Sequence, residues 1–119
     1  MTYGAYVHLA TRLAGKLARD GIEAAVLDLR SLAPLDHEAL LAVARHCGKV
    51  LIVHEDSRTG GVGESLAAVI QEQAFEHLDA PVRIVGALDT PVPYAPPLED
   101  AFLPGEQLVE RAARLLAAY

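Results

Sequence analysis

The residues best suited to catalysis or ligand binding lie in the stretch HEDSRTGGVGES, residues 54–65. A histidine stands beside a carboxylate, His54 and Glu55, and a glycine-rich run follows at residues 60–63. A histidine next to a carboxylate is a candidate pair for proton transfer. Glycines ahead of a helix leave backbone N–H groups free to bind an anion such as phosphate. General acid–base catalysis and anion binding are therefore the two chemistries to weigh.

The neighbouring residues support neither proton transfer nor anion binding specifically. Successive strand residues point to opposite faces, so His54 and Glu55 would not meet, and a packed or capping histidine is favoured. The glycine run lacks the lysine of a G-x-x-x-x-G-K-[ST] loop and the spacing of G-x-G-x-x-G. Its structural interpretation is a tight turn and close helix packing, with Glu64 in the first helical turn. Two hypotheses stay open: a shaped contact surface, or a free-standing α/β module that binds a small anion at Gly60–Gly63.

The other potential ligands and nucleophiles show no productive spacing. His8, His37, His46 and His77 lack a metal-ligand pattern and are predicted on helix surfaces. Cys47 lies at a helix end without a CxxC motif, and it is predicted to be a small buried apolar group. No serine stands in a G-x-S-x-G elbow. The residues therefore predict no catalytic centre and no metal site.

Apolar periodicity predicts the elements that position this loop. Helices are predicted over residues 5–21, over 37–48 with Asp36 as N-cap, around 66–78, and at the C-terminus, where the apolar face is Leu108, Val109, Ala112, Leu115 and Leu116. Apolar runs predict strands at residues 22–32, 49–55 and 81–89. Alternating strands and helices are typical of a parallel sheet with helices on both faces. We therefore predict one α/β domain, residues 1–119, with three α/β/α layers and a mostly parallel sheet.

The first strand of this sheet is unusually short. Only three residues precede the turn at Gly4, whereas a strand commonly has about 5 to 6. In a doubly wound sheet the first strand lies in the middle, so a stub there leaves its neighbours without hydrogen-bond partners. We expect a truncated first strand and a chain that begins inside a larger fold.

Composition limits the partners and the compartment. The formal net charge is −6 and no basic cluster is present, which argues against nucleic-acid binding. No apolar run approaches the roughly 20 residues of a membrane span, and the first residues lack signal-peptide features. The lone cysteine excludes an internal disulfide and fits a reducing compartment. We expect a cytoplasmic chain with neither nucleic-acid nor membrane partners.

Five of the seven prolines fall within residues 91–104, together with Tyr94 and Leu98. Proline lowers the entropy of the free chain, so such a loop can be ordered without secondary structure. A rigid apolar loop is commonly a contact surface. The alternative, a plain connector to the last helix, stays open, although sixteen residues is long for that purpose.

Three stretches, LDLRSLAPLD, VHEDSRTGGVGES and DTPVPYAPPLEDAFLP, resemble the C-terminal domain of the beta subunit of 2-oxo acid dehydrogenases. These oxidoreductases act on pyruvate or branched-chain 2-oxo acids, and the wider family is the transketolase C-terminal domain. The resemblance implies that the chain is the C-terminal part of a longer beta subunit, in which an edge strand and the rest of the central strand precede TYG. It also implies that the parent enzyme uses thiamine diphosphate and magnesium, activated by a glutamate of a preceding domain. No catalytic, cofactor-binding or metal role falls on this chain, and alone it is expected to be inactive.

The resemblance implies a role in assembly. In such enzymes this domain builds the interfaces of an α2β2 heterotetramer and helps to dock the dihydrolipoyl acyltransferase core of a multienzyme complex. The residues implied to face the alpha subunit and the second beta subunit are His54, Glu55, Arg58, Thr59, Gly60, Gly61, Glu64, Asp89, Thr90, Pro91, Pro93 and Glu99. The carboxylate of Tyr119 is implied to meet basic residues of the acyltransferase's subunit-binding domain. An acidic domain and a basic module attract each other, which is consistent with this role.

Overall fold

Five α-helices surround a small sheet in the computed structural model, which describes residues 1–119. They are α1 (Tyr6–Arg19), α2 (His37–Cys47), α3 (Val62–Ala74, extended by a 3-10 turn over Phe75–His77), α4 (Pro96–Phe102) and α5 (Glu106–Ala117). As predicted, Asp36 caps α2, because its Oδ1 accepts a hydrogen bond from the Ala39 N–H at 2.9 Å. The four predicted helices are confirmed within a few residues of their ends. None of the helices combines the length and apolar character that crossing a bilayer requires.

The sheet is parallel, and its first strand lies inside it. Strands β1 (Leu51–Ser57) and β2 (Arg83–Ala87) pair in parallel. Thr2 forms parallel bridges to Asp28 on one side and to Val53 on the other. The order across the sheet is therefore the segment at Asp28, the stub at Thr2, β1 and β2. This is the doubly wound order, and the first strand is short, as the sequence predicts.

Two helical layers enclose this sheet. Ile52 faces α2 and α3, where it joins a core that includes Ile70. Val53 faces the opposite way, toward Leu13 of α1 and Val109 of α5. Because successive strand residues point to opposite faces, β1 alone supplies both cores. The predicted three-layer α/β/α fold with a parallel sheet is confirmed.

The strand predicted over residues 22–32 is wrong for most of its length. Only Asp28 bridges to the sheet, and the backbone of residues 23–26 makes no hydrogen bond. The neighbour of this segment is the stub, which ends at Met1, so nothing lies alongside residues 23–26. A segment forms a β-strand only where a neighbouring strand supplies partners for its backbone hydrogen bonds. The short first strand is thus the physical reason for the missing second one.

The proline-rich segment contains a short helix that was not predicted. Pro96 and Pro97 stand in the first turn of α4, where a missing backbone N–H leaves no hydrogen bond unmade. The buried side chain of Phe102 holds the other end of α4 against the domain, and its carbonyl accepts a hydrogen bond from the Leu88 N–H at 3.2 Å. The segment is therefore an ordered, partly helical loop.

Two further predictions need correction. Cys47 is exposed at the end of α2, not buried. On α5, Val109 and Leu116 are buried, but Leu108 and Leu115 are 53% and 60% exposed. Those two leucines lie one residue before the buried pair, about 100° round the helix, and so they leave the apolar face.

Candidate functional site

Two loops meet at the carboxyl end of the parallel strands, the edge where α/β proteins usually place their sites. The glycine loop, residues 58–61, follows β1, and the proline loop, residues 88–95, follows β2. Asp89 joins them, because its two carboxylate oxygens accept hydrogen bonds from the Thr59 N–H at 2.8 Å and the Thr59 hydroxyl at 2.7 Å. The Arg58 N–H also donates to the carbonyl of Ala87 at 3.0 Å. Two motifs that are 30 residues apart in sequence therefore form one surface.

The hydrogen bonds from the Thr59 hydroxyl and amide lower the pKa of Asp89 below its usual value. A depressed carboxyl pKa stabilises the fold above the unfolded-state value of about 4, and this contribution is lost as pH falls through the lower folded-state pKa. We expect Asp89→Asn to raise the amide exchange rate of Thr59 severalfold at neutral pH, measured by NMR. Asp100, which is exposed and lies on α4, is the matched control, and its change to Asn should leave that rate unchanged.

His54 lies beneath the glycine loop with no exposed surface. Its Nδ1 lies 3.1 Å from the carbonyl oxygen of Asp56 and donates there, since a carbonyl only accepts; Nε2 has no partner. The ring of Tyr3 stacks on it, with centroids 6.3 Å apart and an interplanar angle of 16°. Glu55 points to solvent, as strand alternation predicts, so the two residues form no proton-transfer pair.

The resemblance implies that the loop carrying His54 faces a neighbouring subunit. The His54 side chain itself is enclosed by this chain. It supports the loop from within.

Three glycines make room for the His54 ring, and we call Gly61, Gly63 and Gly86 the glycine cage. A Cβ atom on Gly63 would lie 2.8 Å from His54 Cδ2, and one on Gly86 would lie 2.8 Å from His54 Cε1. A Cβ on Gly61 would lie 3.2 Å from the same Cε1. The sequence predicts close helix packing for the first two, whereas Gly86 was missed. A glycine inside a strand run is the signal that could have found it.

Two carboxylates already bind backbone N–H groups at the end of the glycine loop and the start of α3. The Gly60 N–H donates to Glu64 Oε2 at 2.9 Å, and the Val62 N–H donates to Asp56 Oδ2 at 3.3 Å. Glu64 also pairs with Arg58 at 3.3 Å. These carboxylates take the position and the charge that a phosphate would bring to the start of α3. The loop is therefore a poor site for a further anion.

The same geometry shows whether the residues of this chain could hold thiamine diphosphate and magnesium. No three His, Cys, Asp or Glu side chains are grouped so that they could hold a metal ion. The Glu64 and Asp56 carboxylates already occupy the start of α3, and their negative charge opposes a diphosphate there. The residues of this chain do not fit that cofactor.

Most residues predicted at interfaces do lie on the joined loops. Nine of the twelve are exposed, and His54, Gly61 and Pro93 are buried or half-buried. The proline loop and α4 add three exposed apolar side chains: Val92 at 66%, Tyr94 at 100% and Leu98 at 60%.

Tyr119 lies apart from the joined loops. It is 63% exposed, and its hydroxyl accepts a hydrogen bond at 3.2 Å from Arg83, the first residue of β2. The joined loops follow the last residues of β1 and β2, so Tyr119 lies at the opposite end of the sheet.

Relatives with similar sequences are beta subunits of oxidoreductases. The 2-oxoisovalerate dehydrogenase subunit beta of Bacillus subtilis is 43% identical over 120 residues, which are 100% of this chain and 37% of that protein. The acetoin:2,6-dichlorophenolindophenol oxidoreductase subunit beta of Cupriavidus necator is 39% identical, over 96% of this chain and 34% of its own length. The pyruvate dehydrogenase E1 component subunit beta of Rickettsia conorii is 36% identical, over 100% and 36%. The chain spans little more than a third of these relatives.

A solved structure and a family profile agree with this relationship. A protein described as "Split gene transketolase, inactive beta4 tetramer" superposes with a TM-score of 0.80 at 30% identity, over 98% of this chain and 37% of that one. The profile of "Transketolase, C-terminal domain" matches residues 1–109. The chain therefore belongs to the transketolase C-terminal domain family.

Proposed function

We propose that this chain is the C-terminal domain of the beta subunit of a thiamine diphosphate-dependent 2-oxo acid dehydrogenase, and that it assembles the enzyme without taking part in the chemical step. The observation that carries this proposal is the surface of the two joined loops. Asp89, Thr59 and Glu64 are hydrogen-bonded within the chain, while the apolar side chains of Val92, Tyr94 and Leu98 are exposed. Such a surface is suited to protein contact.

The exposed apolar side chains argue for burial against a partner. Tyr94 is fully exposed in the free chain, and aromatic residues commonly supply much of the binding energy of an interface. The bond from Asp89 to Thr59 holds the start of the proline loop, and a fixed loop loses little entropy when it binds. We place the alpha subunit and the second beta subunit of an α2β2 heterotetramer against this surface.

The cofactor belongs to another part of the enzyme in this proposal. Thiamine diphosphate would supply the carbanion chemistry that decarboxylation of pyruvate or a branched-chain 2-oxo acid requires. The residues present here neither ligate magnesium nor cradle a diphosphate, so we expect the isolated chain to be inactive. The lone cysteine supports a cytoplasmic location.

The C-terminus is the proposed contact for the subunit-binding domain of the dihydrolipoyl acyltransferase. Arg83 holds the Tyr119 side chain, and the Lys49 ammonium donates to the Ala117 carbonyl at 3.0 Å, so the last residues are anchored at the surface. A fixed carboxylate on a chain of net charge −6 would attract a basic module.

A chimaera tests the assembly role. This chain would replace the matched segment of the Bacillus subtilis 2-oxoisovalerate dehydrogenase beta subunit, co-produced with the alpha subunit of that enzyme. We expect co-purification and decarboxylation of 2-oxoisovalerate. In the double variant Val92→Ser/Tyr94→Ser, the affinity for the alpha subunit should fall about tenfold, equivalent to roughly 1.4 kcal/mol.

Phe75→Ser is the matched control, because Phe75 is 66% exposed, like Val92, but follows α3 at the far end of the sheet. The control should leave the affinity unchanged. A folded chimaera whose affinity responds to Phe75 and not to the loop pair would refute the proposed surface.

A further inference from the structure

The outer edge of the sheet, along β2, has no neighbouring strand. β2 pairs with β1 on one side only. The Arg83 N–H donates to the carbonyl of Val50, which directly precedes β1, at 2.9 Å. Because alternate residues of a parallel strand direct their backbone groups to the same side, the N–H and C=O groups of Ile84 and Gly86 face outward. This edge therefore offers a row of hydrogen-bond donors and acceptors to another strand.

The chain itself supplies one hydrogen bond at the upper end of this edge. The Leu88 N–H, the next outward-facing donor after Gly86, donates to the carbonyl of Phe102 at the end of α4, at 3.2 Å. Below that bond the edge is open along β2, which has five residues and contains neither proline nor lysine. Proline and lysine are common devices that block an exposed edge. The backbone of β2 is therefore able to accept an added strand.

The flank of α5 forms an apolar wall beside this edge. α1 packs on β1, whereas α5 packs on both β1 and β2, and Glu110 and Arg114 of α5 bond to side chains of α1. Leu108 and Leu115 each precede a buried residue by one position, about 100° round the helix and away from α1, so they lie on the outer side of β2. Tyr119 continues this flank, since its hydroxyl is bonded to the first residue of β2. We call this surface the edge groove, and it is bounded by Ile84, Gly86, Leu108, Leu115 and Tyr119.

Two arginines beside the edge groove have no carboxylate partner in the chain. The Arg83 guanidinium donates to the Tyr119 hydroxyl, and Arg111, on the exposed side of α5, takes part in none of the salt bridges. The chain has 16 acidic residues and only 10 lysines and arginines, so the lack of a carboxylate at both positions is unusual for its composition. A positive border around an apolar edge is complementary to an acidic segment.

We propose that the edge groove binds an extended polypeptide segment of a partner protein, in which apolar and polar residues alternate and a carboxylate lies at each end. The segment would join the sheet as a strand beside β2, with its backbone bonded to Ile84 and Gly86. Its apolar residues would cover the α5 flank, and its carboxylates would meet Arg83 and Arg111. This site is separate from the joined loops, and it goes beyond the proposed function.

A synthetic peptide tests the edge groove directly. The probe is acetyl-Glu-Val-Thr-Val-Thr-Val-Glu-amide, and the matched control is the same peptide N-methylated at its five central residues, which removes their N–H donors but keeps every side chain. With the probe at about 1 mM, we expect amide exchange at Ile84 and Gly86 to slow about tenfold, which corresponds to a dissociation constant of about 0.1 mM. The methylated peptide should leave both rates unchanged. Equal exchange with and without the probe, or equal protection by the two peptides, would overturn the inference.

Substitutions test the flank and the charges. Leu115→Ser should raise the dissociation constant of the probe about tenfold, because it removes an apolar contact at the centre of the site. Arg111→Glu should weaken binding of the probe but strengthen binding of a peptide in which lysine replaces both glutamates. Leu32→Ser and Arg19→Glu are the matched controls, since Leu32 follows the segment at Asp28 on the opposite side of the sheet and Arg19 ends α1. Effects of the controls as large as those of the groove variants would contradict the site.

The chain without peptide distinguishes a partner protein from a second copy. We expect the exchange rates of Ile84 and Gly86 to be independent of chain concentration. Protection that grows with concentration, together with a dimer in sedimentation, would assign the edge groove to a second copy and overturn the proposed partner.

Discussion

Replacing Gly63 by alanine is expected to lower the free energy of unfolding by about 2–3 kcal/mol, the upper part of the range for overpacking a filled core. The corresponding fall in Tm is roughly 10 °C for a domain of this size. The new methyl carbon would lie 2.8 Å from His54 Cδ2 and 2.9 Å from Ile84 Cγ2, well inside contact distance. His54 cannot retreat, because the rest of the glycine cage and the stacked Tyr3 ring enclose it. Urea denaturation followed by circular dichroism measures the loss.

Two further measurements test whether the loss of stability comes from the contact between Gly63 and His54. Gly15→Ala on α1 meets nothing within 4 Å, and it should stabilise the chain by up to about 1 kcal/mol through helix propensity. In a chain that already carries His54→Ala, the Gly63→Ala change should cost less than about 1 kcal/mol, because the obstructing ring is gone. A coupling energy near zero between the two sites would contradict the glycine cage.

The helices were predictable because their signals are local. Periodicity, the Asp36 cap and the left-handed Gly48 that ends α2 all lie within the element that they specify. The short helix α4 escaped because two prolines suggest a loop, although proline is well suited to a first helical turn. The exposure of Cys47 depends on how the end of α2 packs against the rest of the chain, which no local pattern reveals.

The strands were predictable only where both partners exist. The predicted strand at residues 49–55 overlaps β1, and the one at residues 81–89 contains β2; these two strands pair with each other. Residues 22–32 have the same apolar character but lack a neighbour along residues 23–26, so they stay unpaired. A β-strand depends on the strand beside it, and the local sequence of one segment does not show whether that neighbour is present.

The sequence identified the two loops of the candidate site, but not the contacts that hold them in place. Strand alternation correctly separated His54 from Glu55, and the resemblance marked both loops that Asp89 and Thr59 join. The sequence did not reveal that Glu64 and Asp56 satisfy the glycine loop, since this depends on side-chain geometry. Nor did it bring Gly86 to the His54 ring, because that contact needs the parallel pairing of β1 and β2.

Folding of the 119-residue chain is expected to weaken by roughly 2–3 kcal/mol when the pH falls from 8.5 to 5.5, because of its amino terminus. Burial lowers the pKa of the Met1 ammonium from 8.0 to about 6, and the nearby Cys47 thiol only partly offsets this. Between these two values the unfolded chain holds a proton that the folded chain does not. The free energy of unfolding therefore rises with pH across this interval. Below the interval both states are protonated, and this contribution is absent. Urea titrations at the two pH values measure the difference, with Met1 retention checked by mass spectrometry.

The acetylated chain is the control that isolates this amine. Acetylation removes the titrating group but keeps every histidine and carboxylate, so their contributions cancel when the two chains are compared. It also removes a positive charge whose burial is unfavourable. We therefore expect the acetylated chain to be the more stable at pH 5.5 and to lose most of the pH dependence. Equal losses in both chains would mean that the Met1 ammonium stays hydrated in the folded state, which would contradict its burial.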